Sequence, residues 1–192
     1  MPPFRFIPWF ISNWSRTTLP AVALLLAVSP WLWRAMGPAL FLIYAQLPAY
    51  MIHQYEEHAD GRFKAFANNT FGGGREVMTD KAIFWINVGG VWGIDLAAIG
   101  AAELFGMGWG LVAAYLPLVN AISHIGAAIR FKGYNPGLWT SVVLFLPLSL
   151  FAVDCVPATA MQHATGFGLS ILIHTAIAGH IVRRVKLLAR RG

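Results

Sequence analysis

Residues 51–60 read Met51-Ile52-His53-Gln54-Tyr55-Glu56-Glu57-His58-Ala59-Asp60, and what this stretch requires of its surroundings decides the fold. It ends a segment, Pro38 to Tyr50, that holds no charged residue and reads as a lipid-facing helix. If the helix continues through the motif, His53 and Glu57 lie four apart on one face, with Glu56 on its flank. Carboxylates are unfavourable near a helix C-terminus, where the backbone dipole is negative, so the cluster calls for a cation, a proton or a basic neighbour.

The composition agrees with a membrane setting. Of the 192 residues 57% are hydrophobic and 11% charged, with a mean hydropathy of +0.60, which is too apolar for an ordinary soluble domain. The net charge of +6 does not point to nucleic acid, because the basic residues fall between and after apolar runs rather than among aromatics on a polar surface. The single cysteine, Cys155, forms no internal disulfide and offers no thiolate metal site. Ala27-Val28-Ser29 resembles a signal-peptide cleavage triple, but Pro30 directly after the cut and the continuing run Trp31-Leu32-Trp33 favour a retained span.

The pattern predicts an all-α, single-domain membrane bundle over residues 1–192, with six transmembrane helices at about 18–33, 38–58, 82–104, 109–129, 138–155 and 164–182. The first is short for a bilayer core. Residues 1–16, with Arg5, Trp9 and Trp14, are expected in the headgroup layer, and Arg34 to Pro38 as a tight turn. Residues 59–81 form a long polar connection with a Gly72-Gly73-Gly74 hinge, skimming the membrane surface on Phe63, Phe66 and Phe71. With six spans, the N-terminus, the 59–81 and 130–136 connections and the basic tail share one side and carry 13 of the 14 Lys and Arg, against Arg34 alone on the other. Such asymmetry places both termini in the cytoplasm, in a bacterial inner membrane.

This topology brings polar residues to one depth. His53 lies about five residues before the cytoplasmic end of helix two and His124 about six before Arg130, so both are roughly 8 to 9 Å inside at ~1.5 Å per residue. Asn120 shares the face of His124, Asn87 enters from helix three, and His180 sits near the end of helix six. Intramembrane polar groups face a bundle interior or a wet cavity, which makes their convergence a site. Plainer readings compete: Asn87 and Asn120 as helix-to-helix hydrogen bonds, His180 as an interface histidine, Asp95 paired with His174, and Glu103, Asp154, His58 and His163 as solvated ends.

His53-Gln54-Tyr55-Glu56-Glu57, the later His124 and Tyr134-Asn135-Pro136-Gly137 together resemble the motifs of the HXXEE membrane-protein family, over about residues 38 to 155. The resemblance implies no reaction, since that family has no assigned function; it singles out the residues.

The residue types allow several chemistries. His53 and His124 with Glu56 or Glu57 make a two-histidine, one-carboxylate site for one divalent transition metal, Zn for hydrolysis or Fe(II) for oxygen chemistry, with the other Glu as general base. A metal-free variant uses the Glu pair to activate water, with His124 and Asn120 stabilising an oxyanion and Tyr134 nearby; it is similar in outline to glutamate-dependent intramembrane proteases of the CAAX-processing type. A small proton- or metal-ion-coupled transporter would use the same cluster, extended by Asp95 and His174, and a purely structural polar knot is the remaining reading. An enzyme at this depth meets a lipid, an isoprenoid or a lipidated peptide, so the expected partners are the bilayer and an amphiphilic substrate.

Overall fold

The computed structural model describes residues 5–190, which fold entirely as helices and turns; Arg191 of the expected basic tail lies outside them. Helix α1 (Phe6–Tyr44) is followed by α2 (Gln46–His58) and α3 (Arg62–Thr70). Then α4 (Asp80–Phe84) passes through a π-helical stretch, Trp85–Trp92, into α5 (Gly93–Phe105). After a 3-10 turn at Met107–Leu111 comes α6 (Val112–Phe131). A one-turn α7 (Leu138–Thr140) leads through a second π-helical stretch, Ser141–Phe145, into α8 (Leu146–Cys155), and α9 (Ala160–Ala189) ends the described chain.

Five helical runs are long and apolar enough to cross a membrane, not six: 6–70, 80–105, 107–131, 138–155 and 160–189. The difference lies at the N-terminus. The turn expected at Arg34 to Pro38 is a break at one residue, Gly37 (φ 71°, ψ 169°), inside an otherwise helical run, because Pro38 is accepted at the start of a new helical segment and only glycine adopts that backbone freely. The run doubles back there. Tyr44 Oη donates to the Leu25 carbonyl (2.9 Å), Val22 packs with Leu47 and Met51, the Trp14 ring lies 5.3 Å from that of His58, and Arg16 pairs with Asp60 (2.5 Å). Two antiparallel arms result, and the first is helical from Phe6 with no break before the expected first span; Trp14 and Ser15 are buried, and residues 1–4 of the expected headgroup segment lie outside the described residues.

The 59–81 connection also departs from expectation. Much of it is helix α3, and its phenylalanines turn onto the protein: Phe63 meets His58 edge-on, while Phe66 and Phe71 meet Phe131. The stretch after α3 is tied by Asn68, whose Oδ1 accepts from Val77 N (2.9 Å) and Met78 N (2.8 Å), and by Lys64, which bridges Glu76 (3.0 Å) and Asp80 (3.1 Å). Helix α3 thereby covers the end of α2 on which the motif sits.

Helix α9 starts with a capping box, Thr159 with Gln162, and packs along α6. Gly106 (φ 111°) ends α5 in a conformation that L side chains resist. Because a Cβ at Gly37 would meet nothing within 4 Å, any penalty there is backbone strain alone. Gly37→Ala is therefore expected to cost on the order of 1–3 kcal/mol, read as a lower thermal midpoint in detergent; an unchanged midpoint would show that the arms do not depend on this bend.

Candidate metal centre

Helices α2 and α6 supply the centre. His53 and Glu57, one turn apart on α2, face His124 of α6, and one ligand atom from each lies within 4.8 Å of the others. Glu57 is the hub: its Oε2 lies 3.4 Å from His53 Nε2 and its Oε1 lies 3.5 Å from His124 Nε2. All three are buried, with exposures of 0% for His53, 6% for Glu57 and 8% for His124. Phe145 lies under the His53 ring (centroids 4.3 Å apart) and holds its plane.

The hydrogen bonds on the far side of each ring set its tautomer. The Thr140 hydroxyl donates to Glu56 Oε2 (2.6 Å), which only accepts, so the 2.8 Å contact of Thr140 Oγ1 with His53 Nδ1 is one in which the imidazole N–H donates. Asn135 Nδ2 donates to the His124 carbonyl (2.9 Å), which orients the amide with Oδ1 on His124 Nδ1 (2.6 Å), again accepting. In the neutral rings both Nε2 atoms are consequently unprotonated, and both point at a carboxylate. His53 Nε2 has no hydrogen-bond partner. Three electron-pair donors held together out of water repel one another unless a cation sits among them.

The group could hold a metal ion. Tetrahedral ligands at the usual ~2.0–2.2 Å stand about 3.3–3.6 Å apart; each imidazole lies at such a distance from one oxygen of Glu57, 3.4 Å from Oε2 and 3.5 Å from Oε1, and with a single atom taken from each residue the three lie within 4.8 Å, so a common ion would draw them slightly together. Three protein donors would leave a fourth coordination position of a tetrahedral ion free.

Glu56 is not one of the three. Its Oε1 accepts from Tyr134 Oη (2.9 Å) and Trp139 N (3.1 Å), its Oε2 from Thr140 N (2.7 Å) and Thr140 Oγ1, so all four bonds hold the segment 134–140 and the N-terminus of α7. Tyr134 is half-exposed and serves that anchor; burial, and after it the bond to Glu56, push its phenol above the usual range. Gly137 (φ 95°) passes so close to the centre that a Cβ there would lie 2.7 Å from His53 Cε1 and 2.9 Å from His124 Cε1. The loop thus forms a wall of the site.

The remaining candidates divide. Asn120 lines a cavity of about 240 Å³ beside the triad, bordered also by Glu57, His58, Phe63, His124 and His174, and its Oδ1 has no partner. Asn87 borders the cavity but is satisfied structurally, accepting from Gln54 Nε2 (3.0 Å), while Trp92 donates to Gln54 Oε1 (2.7 Å). His180 is exposed on α9, away from the triad. His174 bonds the Ser170 carbonyl (2.8 Å), so the expected pairing with Asp95 is not formed. His58, expected to be solvated, is 7% exposed: α3 and Trp14 enclose it, and its Nε2 lies 3.0 Å from Glu57 Oε2 without hydrogen-bond alignment.

Three residues that sequence reasoning did not assign a role, Asn135, Gly137 and Thr140, complete the surroundings of the histidines. Asn135 and Gly137 carried a signal by lying inside Tyr-x-Pro-Gly; Thr140 carried none.

A family model described as a protein of unknown function with HXXEE motif matches residues 44–152, more than half of the chain and the whole of this centre. The chain belongs to the HXXEE family. No curated protein and no solved structure matches it. In this HXXEE protein the name-giving residues play unequal parts: His53 and Glu57 turn inward to the triad, and Glu56 turns aside to fasten the loop that orients the other ligand. Removing Asn135 is expected to weaken Zn(II) binding about 10–100-fold while the protein stays folded, measured for Asn135→Ala by competition against a chromogenic chelator. Equal affinity in variant and parent would mean that Asn135 does not orient His124.

Proposed function

We propose that this protein is an intramembrane metal-dependent hydrolase that cleaves a lipid-like or lipidated substrate near the cytoplasmic face, with His53, Glu57 and His124 as ligands of one divalent metal, zinc first. The observation that carries the reading is the pair of imidazole Nε2 atoms facing a buried carboxylate beside a largely apolar cavity, with each Nδ1 engaged by an acceptor. In this topology the two arms of the run 6–70 each cross a bacterial inner membrane. That gives six crossings in all, with both termini in the cytoplasm, as the distribution of Lys and Arg favours.

A divalent metal bound there supplies a Lewis acid for a carbonyl and lowers the pKa of water. The chain's own groups supply the rest. Hydrolysis is favoured over oxidation because water is its only co-reactant. The cavity is far larger than the ~10–15 Å³ a single water needs, and phenylalanines of α3 with isoleucines of α9 make it suited to an acyl or prenyl chain. Asn120 Oδ1 accepts from a hydroxyl or amide N–H of the substrate and orients it. With Glu56 engaged by the loop, His58 is the free base at the cavity wall: it takes a proton from the water that attacks the carbonyl and returns it to the departing alcohol or amine as the ester or amide bond breaks. Trp14 and Phe63 pack on the His58 ring and keep it at the cavity wall.

Purified protein is expected to contain about one zinc per chain by elemental analysis, with the metal lost in His53→Ala, Glu57→Gln and His124→Ala. His58→Gln is expected to retain the metal but to abolish release of fatty or prenyl products from mixed-lipid vesicles, followed by mass spectrometry. Product release that proceeds without metal and resists chelators would replace this reading with the metal-free one.

A further inference from the structure

A second set of buried polar atoms lies deeper in the bundle and belongs to none of the groups described above. Helical spacing places it in one layer. One apolar cluster contains Ile43, Ala98, Ala113 and Ala152, and another contains Tyr50, Val91, Ala121 and Phe145. Gln46 stands three residues after Ile43 and four before Tyr50; Asp95 stands three before Ala98 and four after Val91. Ser149 stands three before Ala152 and four after Phe145, and Pro117 four from both Ala113 and Ala121. Each is about one turn from both clusters, so the four share the level between them.

That level is rich in oxygen and poor in partners. Gln46, Asp95 and Ser149 have 0% exposure. Gln46 Oε1, both oxygens of Asp95 and Ser149 Oγ have no hydrogen-bond partner, and Gln46 Nε2 is already given to the Leu42 carbonyl (3.1 Å), so Oε1 is the atom left to bind something else. Pro117 has no N–H, which leaves the Ala113 carbonyl on the same helix without its usual donor. Among the described residues Asp95 has no ion pair. An uncompensated carboxylate at this depth is costly, and a backbone carbonyl freed in a membrane helix needs a new partner.

We infer that Gln46, Asp95, Ser149 and the Ala113 carbonyl form a binding site for one sodium ion. The donors are all hard oxygens and carry a single negative charge, which matches a monovalent cation, and a soft transition metal prefers the imidazoles of the other centre. Broken helices offering carbonyls to sodium follow the same physics, and here both π-helical stretches adjoin the layer, one just before Asp95 and one just before Ser149. No ligand is shared with the triad, so the sodium site stands or falls apart from the hydrolase reading. Tyr50 lies between them, near enough to feel both Asp95 and Glu57.

The test is equilibrium binding of radioactive sodium to the full chain in lipid nanodiscs, with chelator present to keep the triad free of transition metal. About one saturable sodium per chain is expected, unchanged in His124→Ala and absent in Asp95→Asn. Ser149→Ala, which removes only a neutral donor, should weaken binding several-fold while the protein remains folded. Sodium, but not a bulky organic cation, should raise the thermal midpoint of the parent and not that of Asp95→Asn. Folded parent protein that binds no sodium at neutral or alkaline pH, or sodium binding that survives Asp95→Asn, would overturn the inference; the first result would mark Asp95 as a proton carrier only.

Discussion

Two hydrogen bonds on the outer edges of two imidazoles govern this protein's interior. Thr140 and Asn135 each accept from an Nδ1–H, so both Nε2 lone pairs are turned onto Glu57 in a place water hardly reaches. Left alone, that arrangement is repulsive, and a metal turns the repulsion into coordination. Both acceptors come from the short segment between α6 and α8, and Glu56 grips that segment with a carboxylate from α2. Helix α2 therefore contributes two ligands directly and, through Glu56, the support for the third.

The surrounding fold reads as the means of keeping this centre shut on one side and approachable on another. The doubled-back N-terminal arm puts Trp14 against His58, α3 adds Phe63, and Gly137 brings backbone where a side chain would collide with the rings. What remains open is the cavity between α2, α6 and α9. The candidate ligands thus stand on helices and face one accessible side.

Much of this was legible from residue order, for reasons that differ by residue. His53 and Glu57 share a helix face by spacing alone, and His124 could be matched to their depth because helix ends were marked by Arg and Lys. The family motifs then drew attention to Tyr134 through Gly137. The division of labour between Glu56 and Glu57 was not legible: adjacent carboxylates point about 100° apart on a helix, and which one meets the histidines depends on how α2 is rotated against α6 and α7. The burial of His58 was not legible because burial at a helix end is decided by what folds over it, here α3, and a polar stretch with three consecutive glycines gives little sign of a covering helix. The sharpness of the N-terminal bend is equally illegible, since Gly37 bends the chain within a single residue where Arg34 to Pro38 suggests a longer turn. Asn135 and Thr140 act only through geometry, and nothing in their identity announces a tautomer.

X-ray absorption at the zinc edge of the loaded protein addresses the central claim most directly. The triad predicts about four nitrogen and oxygen neighbours at ~2.0–2.1 Å, with the outer-shell scattering of two imidazoles, reduced to one in His124→Ala. A spectrum without imidazole scattering, or one identical in parent and variant, would show that zinc does not lie between His53 and His124.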